Sequence, residues 1–147
     1  MKLVVSGSRH ITDYNLFYQA LGESGFLTTK KGVECLIQGG AAGVDGLAKR
    51  WAEANSVPVM TIEADWDAHG RSAGPIRNSE MIQYAIEDGE PAGLLAIWDG
   101  YSKGTWDCIK KAQAKGLIIY IKMLNVLDAA KLQAEKEAKR KRWKDKK

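Results

Sequence analysis

The 147-residue chain is poor in the residues that staple a fold or ligate metals. Its two cysteines, Cys35 and Cys108, stand far apart and in no metal-ligand spacing. That pattern excludes a disulfide framework and leaves two reduced, buried thiols, as expected of a cytoplasmic protein. The two histidines, His10 and His69, have no partner pattern that would make either a metal ligand or a base. No metal or cofactor site is implied. No run approaches the roughly 18 consecutive apolar residues that span a bilayer, so no membrane association is expected. The N-terminus enters a strand pattern at Lys2-Leu3-Val4-Val5, and no secretory leader is expected there.

Glycine is plentiful: fifteen residues against three prolines, several of them where a strand pattern hands over to a helix pattern. Charge is unevenly spread. Residues 131–147 carry nine Lys/Arg against three Asp/Glu, a surplus of +6, so the total of +4 leaves −2 for the residues before them. The chain is therefore a near-neutral globule with a basic tail, not a basic protein throughout.

The hydrophobic period alternates between short apolar runs and amphipathic stretches. Strands are predicted at Leu3–Ser6, Val33–Gln38, Val57–Ile62, Ala92–Trp98 and Leu117–Ile121. Helices are predicted from a cap at Asp13, around Val44–Ala52, from Pro75, and over Thr105–Lys115. Residues 63–74 read as an irregular loop. A last, basic helix begins near Val126. Alternating strands and helices imply an α/β, Rossmann-like, three-layer domain over residues 1–125, built on a five-stranded, mostly parallel sheet. Residues 126–147 form its C-terminal basic helical extension.

Ligands of such sheets bind beyond the carboxyl ends of the strands. Three strand ends here carry turns suited to an anion. The first, Ser6-Gly7-Ser8-Arg9, offers small residues, hydroxyls and a guanidinium fork. The second, Gln38-Gly39-Gly40-Ala41-Ala42-Gly43-Val44-Asp45, runs into a helix whose N-terminal amides attract negative charge. The fourth strand ends in Trp98-Asp99-Gly100-Tyr101-Ser102-Lys103-Gly104-Thr105 and again opens a helix. Asp45 has two readings, as a cap for free amides or as an acceptor for a ribose hydroxyl. Arg77-Asn78 follows a Gly-Pro turn that fixes where the arginine points. Trp66 would stack on a base or anchor its loop.

Taken together, the pieces VVSGSR, IQGGAAGVDGLAKRWA, ADWDAHGRSAGPIRNSEM and SKGTWDCIKKA resemble the SLOG superfamily, which joins the Smf/DprA DNA-processing proteins to the LOG phosphoribohydrolases. The nearest likeness is to its small stand-alone YspA-like branch, over about residues 3–121. The resemblance implies a nucleotide or nucleotide-derived ligand. It matches Arg77 to the LOG arginine that holds the ribose-phosphate part of the substrate, and Gly104-Thr105 to the Gly-Thr of a phosphate-cradling PGGxGTxxE motif. The motif's glutamate would fall at Cys108. Asp107 precedes it by one residue, about 100° away around a helix, and the Pro-Gly-Gly is missing.

The expected function is therefore binding of a phosphate-bearing nucleotide ligand, as a sensor or sequestering protein. The residues expected to hold it are Gly7, Ser8, Arg9, Gly39, Gly40, Gly43, Asp45, Trp66, Arg77, Asn78, Ser102, Lys103, Gly104 and Thr105. The alternative is a LOG-like N-glycosidic hydrolase with Arg77 and Asp107 as catalytic residues. A second alternative is DprA-like single-strand DNA binding through the basic tail. The resemblance further implies a homodimer or larger homo-oligomer.

Overall fold

A computed structural model describes residues 1–124, Ala134 and 137–141. Five strands form one sheet in the order β3-β2-β1-β4-β5: β1 (Lys2–Gly7), β2 (Cys35–Gln38), β3 (Val59–Thr61), β4 (Ala92–Trp98) and β5 (Ile118–Met123). Every pairing is parallel. The chain builds outward from β1 through β2 to β3, then returns to lay β4 on the other side of β1. That return is the topological switch point, where the connections leaving two neighbouring strands part to opposite faces and open a crevice.

Helices α1 (Tyr14–Ser24) and α2 (Val44–Ala54) cover one face, and α4 (Ala73–Ile86) and α5 (Lys103–Ala114) the other. Alternate residues of β1 therefore belong to different cores. Leu3 and Val5 pack with Phe17, Leu21, Ala48 and Trp51, while Val4 packs with Met81, Ile82, Cys108 and Ile109. The pleat dictates this, since successive side chains of a strand leave on opposite faces. β4, central and covered on both sides, is apolar along its whole length for the same reason. At the edge, Glu23 of α1 accepts hydrogen bonds from the Tyr120 hydroxyl and the Lys122 ammonium of β5.

Local signals account for most element ends. Asp13 accepts from the amides of Asn15 and Leu16 at the start of α1, and Gly25 ends it in the left-handed conformation. β3 is shorter than its apolar run because the Val57 amide closes α2 onto Ala52 and Pro58 has no N–H to donate. Residues 63–74 are more regular than an irregular loop. Asp65 caps a short helix, α3 (Trp66–His69), a 3-10 turn follows, and α4 begins at Ala73, with Pro75 inside its first turn. Of the basic helix expected over 126–147, Ala134 and 137–141 are helical and exposed, and the rest lies outside the described residues. No helix among the described residues is long and apolar enough to cross a membrane.

Phe17 is fully buried at the centre of the α1–α2 core. Phe17→Ala is expected to lower the unfolding free energy by about 3–5 kcal/mol, read from urea denaturation. A loss below about 1 kcal/mol would mean that this core is not packed as described.

Candidate functional site

The crevice at the switch point holds two adjoining cavities. The deeper, about 230 Å³, is bounded by the end of β1 (Ser6, Gly7, Ser8, Arg9, His10), by Ala41 and Asp45 of the β2–α2 connection, by Arg77, Asn78 and Met81 of α4, and by Ser102, Gly104 and Thr105 at the start of α5. The outer, about 340 Å³, is walled by Gly39–Ala42, Glu63, Ala64 and Trp66. Arg9, Ala41 and Arg77 line both, so the two arginines stand at the neck between them. The volumes suit a small molecule held in two parts.

The three turns play different parts. In the β2–α2 turn four backbone amides bond within the protein. Gly39 and Ala41 donate to Asp45 Oδ2, Gly40 donates to Gln38 Oε1, and Val44 donates to the Ser8 carbonyl. These four are engaged, while the amides of Ala42 and Gly43 in the same turn show no such bond among the described residues. The glycines of this turn serve close approach. A Cβ on Gly39 would lie 2.2 Å from Arg77 Nη1, and one on Gly43 (φ 77°) would lie 2.4 Å from the Arg9 backbone. The turn is a fixed wall.

The β4–α5 turn is built the other way. Asp99 accepts from the Tyr101 and Ser102 amides, and the Trp98 indole donates to the Ser102 carbonyl, so the loop is held by its own residues. The amides of Gly104 and Thr105 fall in the first turn of α5, where a helix leaves N–H groups without an intrahelical partner. No protein atom outside its own neighbourhood lies within 4 Å of where a Cβ on Gly104 would be. Here the backbone is open to a ligand, with the positive end of the helix dipole behind it.

Arg77 reaches back across the sheet end. Its Nη1 donates to the Gly39 carbonyl at 2.8 Å and its Nε to Asn78 Oδ1 at 3.1 Å, which leaves its remaining N–H groups for the neck. Asn78, buried, spends its amide on the Gly104 carbonyl and on Asp107 Oδ2. Asp107 also pairs with Lys111 at 3.0 Å. Its carboxylate is thus engaged between α4 and α5, and Asp107 does not line either cavity. Gly43 and the exposed Lys103 do not line them either. The remaining expected residues come together around the two cavities. Ser6, His10, Ala41, Met81 and Glu63 join them. All but Met81 flank the turns in sequence, so adjacency to a strand end was the available signal.

Asp45 takes the capping role: its carboxylate folds the β2–α2 turn by accepting two amides. Burial pushes its pKa up to about 6, against the opposing pull of the Ala41 and Gly39 hydrogen bonds and the Arg77 and Arg9 charges. Cys108, beneath the floor, is pushed up to about 12 by burial and is an inert thiol.

A protein-family model described as the YspA, cpYpsA-related SLOG family matches residues 1–69. Across 121 residues, 79% of this chain and 91% of the relative, the sequence is 32% identical to the Gene 61 protein of Mycobacterium phage D29. The chain belongs to this SLOG family. The stretch matched by the family model carries the β1 and β2 strand-end turns and ends at α3, so Arg77 and the α5 start lie beyond it.

A larger groove, about 750 Å³, runs outside α4 and α5 past Ile76, Gln83 and Ala114. Its lining is mostly side chains of α4 and α5, with Ile62 just after β3, and an apolar trough between helices needs no ligand to explain it.

Between about pH 4 and about 6 the folded chain keeps a proton on Asp45 that the unfolded chain has already released. The contribution of Asp45 to stability is therefore greatest below that window, falls as pH rises through it, and is flat above. Asp45→Asn keeps an acceptor for the two amides and removes the titration. The stability difference, variant minus parent, is expected to grow from pH 4 to 6 and then level off in denaturation midpoints. A constant difference would contradict the buried carboxylate.

Proposed function

We propose that the protein binds a nucleotide or nucleotide-derived ligand, its phosphate in the deep cavity and its base or sugar in the outer one, as a sensor or sequestering protein. The observation that carries this reading is the neck. Arg9 and Arg77 stand where a polar cavity ending on the α5 N-terminus opens into a second cavity bordered by an exposed indole. Helix amides, the Ser102 hydroxyl, which accepts from Thr105 Oγ1, and a guanidinium fork together suit a phosphate. The Trp66 ring suits the face of a base.

Binding without cleavage is the better-supported form of this activity. The one carboxylate near the position of the LOG glutamate is Asp107, and it is held by Asn78 and Lys111. Asp45 is committed to the turn it folds.

Calorimetry with nucleoside monophosphates and ADP-ribose tests the proposal. Arg77→Ala is expected to weaken binding by about 10- to 100-fold, the worth of a hydrogen bond to a charged group. Gly104→Asp, which puts a carboxylate among the α5 amides, is expected to abolish it, and the ligand is expected to be recovered intact. If no member of the panel binds, or both variants bind like the parent, the site is misplaced.

A further inference from the structure

Glu63 is the one residue of the outer cavity whose charge opposes a phosphate, and the neck does not use it. It follows β3 directly, two residues after Thr61, whose hydroxyl accepts from Gln38. The bare α-carbon of Gly40 packs on its side chain: a Cβ there would meet Glu63 Cγ at 3.0 Å and Oε1 at 3.2 Å. The side chain is thereby held against the cavity wall. Its carboxylate makes no hydrogen bond or ion pair with any described residue, although Arg9 and Arg77 line the same cavity. Three residues on, the Trp66 ring borders the same space, 54% exposed.

A free carboxylate accepts hydrogen bonds from neutral donors such as vicinal hydroxyls or an exocyclic amine, and it repels phosphate. The cavities are therefore polarised, with unspent cationic donors at the neck and the α5 amides at one end, and an unpaired anion beside a stacking surface at the other. We propose that Glu63 is the specificity-determining residue of the site, selecting ligands phosphorylated at one end only, whose other end carries neutral hydroxyl or amine donors. This rests on the nucleotide reading above and sharpens it. A nucleoside monophosphate fits. A nucleoside bisphosphate does not, nor does a nucleotide within a nucleic acid strand, because each carries phosphate on both sides of the sugar. The same selection disfavours single-strand DNA as the ligand of this cavity.

The test compares adenosine 5′-monophosphate with adenosine 3′,5′-bisphosphate by calorimetry on the full chain and on Glu63→Gln and Glu63→Lys. The parent is expected to favour the monophosphate by about tenfold, the scale of like-charge repulsion in a water-exposed site. Glu63→Gln should narrow that ratio and Glu63→Lys should invert it. If both ligands bind and the ratio stays within about twofold across the three proteins, the role of Glu63 is overturned while the nucleotide reading stands. If neither ligand binds the parent, the role of Glu63 is overturned, and the nucleotide reading falls with it if no member of the wider panel above binds. Glu63 is exposed and makes no packing contact in either core, so loss of folding is not expected to confuse the comparison.

Discussion

The hydrogen bond from Arg77 to the Gly39 carbonyl joins the two halves of this molecule. It crosses from α4, on one face of the sheet, to the strand-end turn that feeds α2 on the other. The guanidinium occupies the space of a side chain at Gly39, so a larger residue there would displace it. With Arg77 pinned there, its Nε orients Asn78, and Asn78 orients the Gly104 carbonyl and Asp107. The start of α5 is thus positioned from α4. The first turn of α5 and the Arg77 guanidinium share one network, and moving either would move both.

Charge in this network is nearly balanced before any ligand arrives. Asp45 is buried, folds the β2–α2 turn, and faces two arginines, yet desolvation still outweighs those partners and its proton is held tighter than usual. Arg9 and Arg77 line the same cavity as this carboxylate. With them, the crevice presents positive charge at the neck and a structured wall behind it. Close approach explains the glycines of the β2–α2 turn. They allow protein segments to approach one another, while the space beside Gly104 at the start of α5 is open.

Much of this was legible in the sequence. Unbroken apolar runs such as Ala92–Trp98 read correctly as strands buried on both faces, and the alternation of strands with helices implied the parallel sheet that the structure has throughout. Asp13 and Gly25 mark helix ends by chemistry that needs no tertiary context. The order of capping inside residues 63–74 was less visible, because α3 is a single turn and has no period to read. The fate of Asp107 was hidden for another reason. A spacing in sequence shows the angle around a helix but not which neighbour takes the carboxylate, and here Lys111 on the next turn and Asn78 across the interface take it. Likewise, nothing in Gln38-Gly39-Gly40-Ala41 tells that Asp45 and Gln38 already satisfy those amides.

If a ligand enters the proposed switch-point crevice, it meets the backbone at the start of α5. Amide chemical-shift mapping of the full chain, titrated with adenosine 5′-monophosphate, addresses this most directly. The largest perturbations are expected on Gly104 and Thr105, on Ser8–His10 and on the Trp66 indole, with smaller ones at Gly39–Ala41, whose amides are internally bonded. Perturbations centred instead on Ile76, Gln83 and Ala114, along the outer groove of α4 and α5, would contradict it.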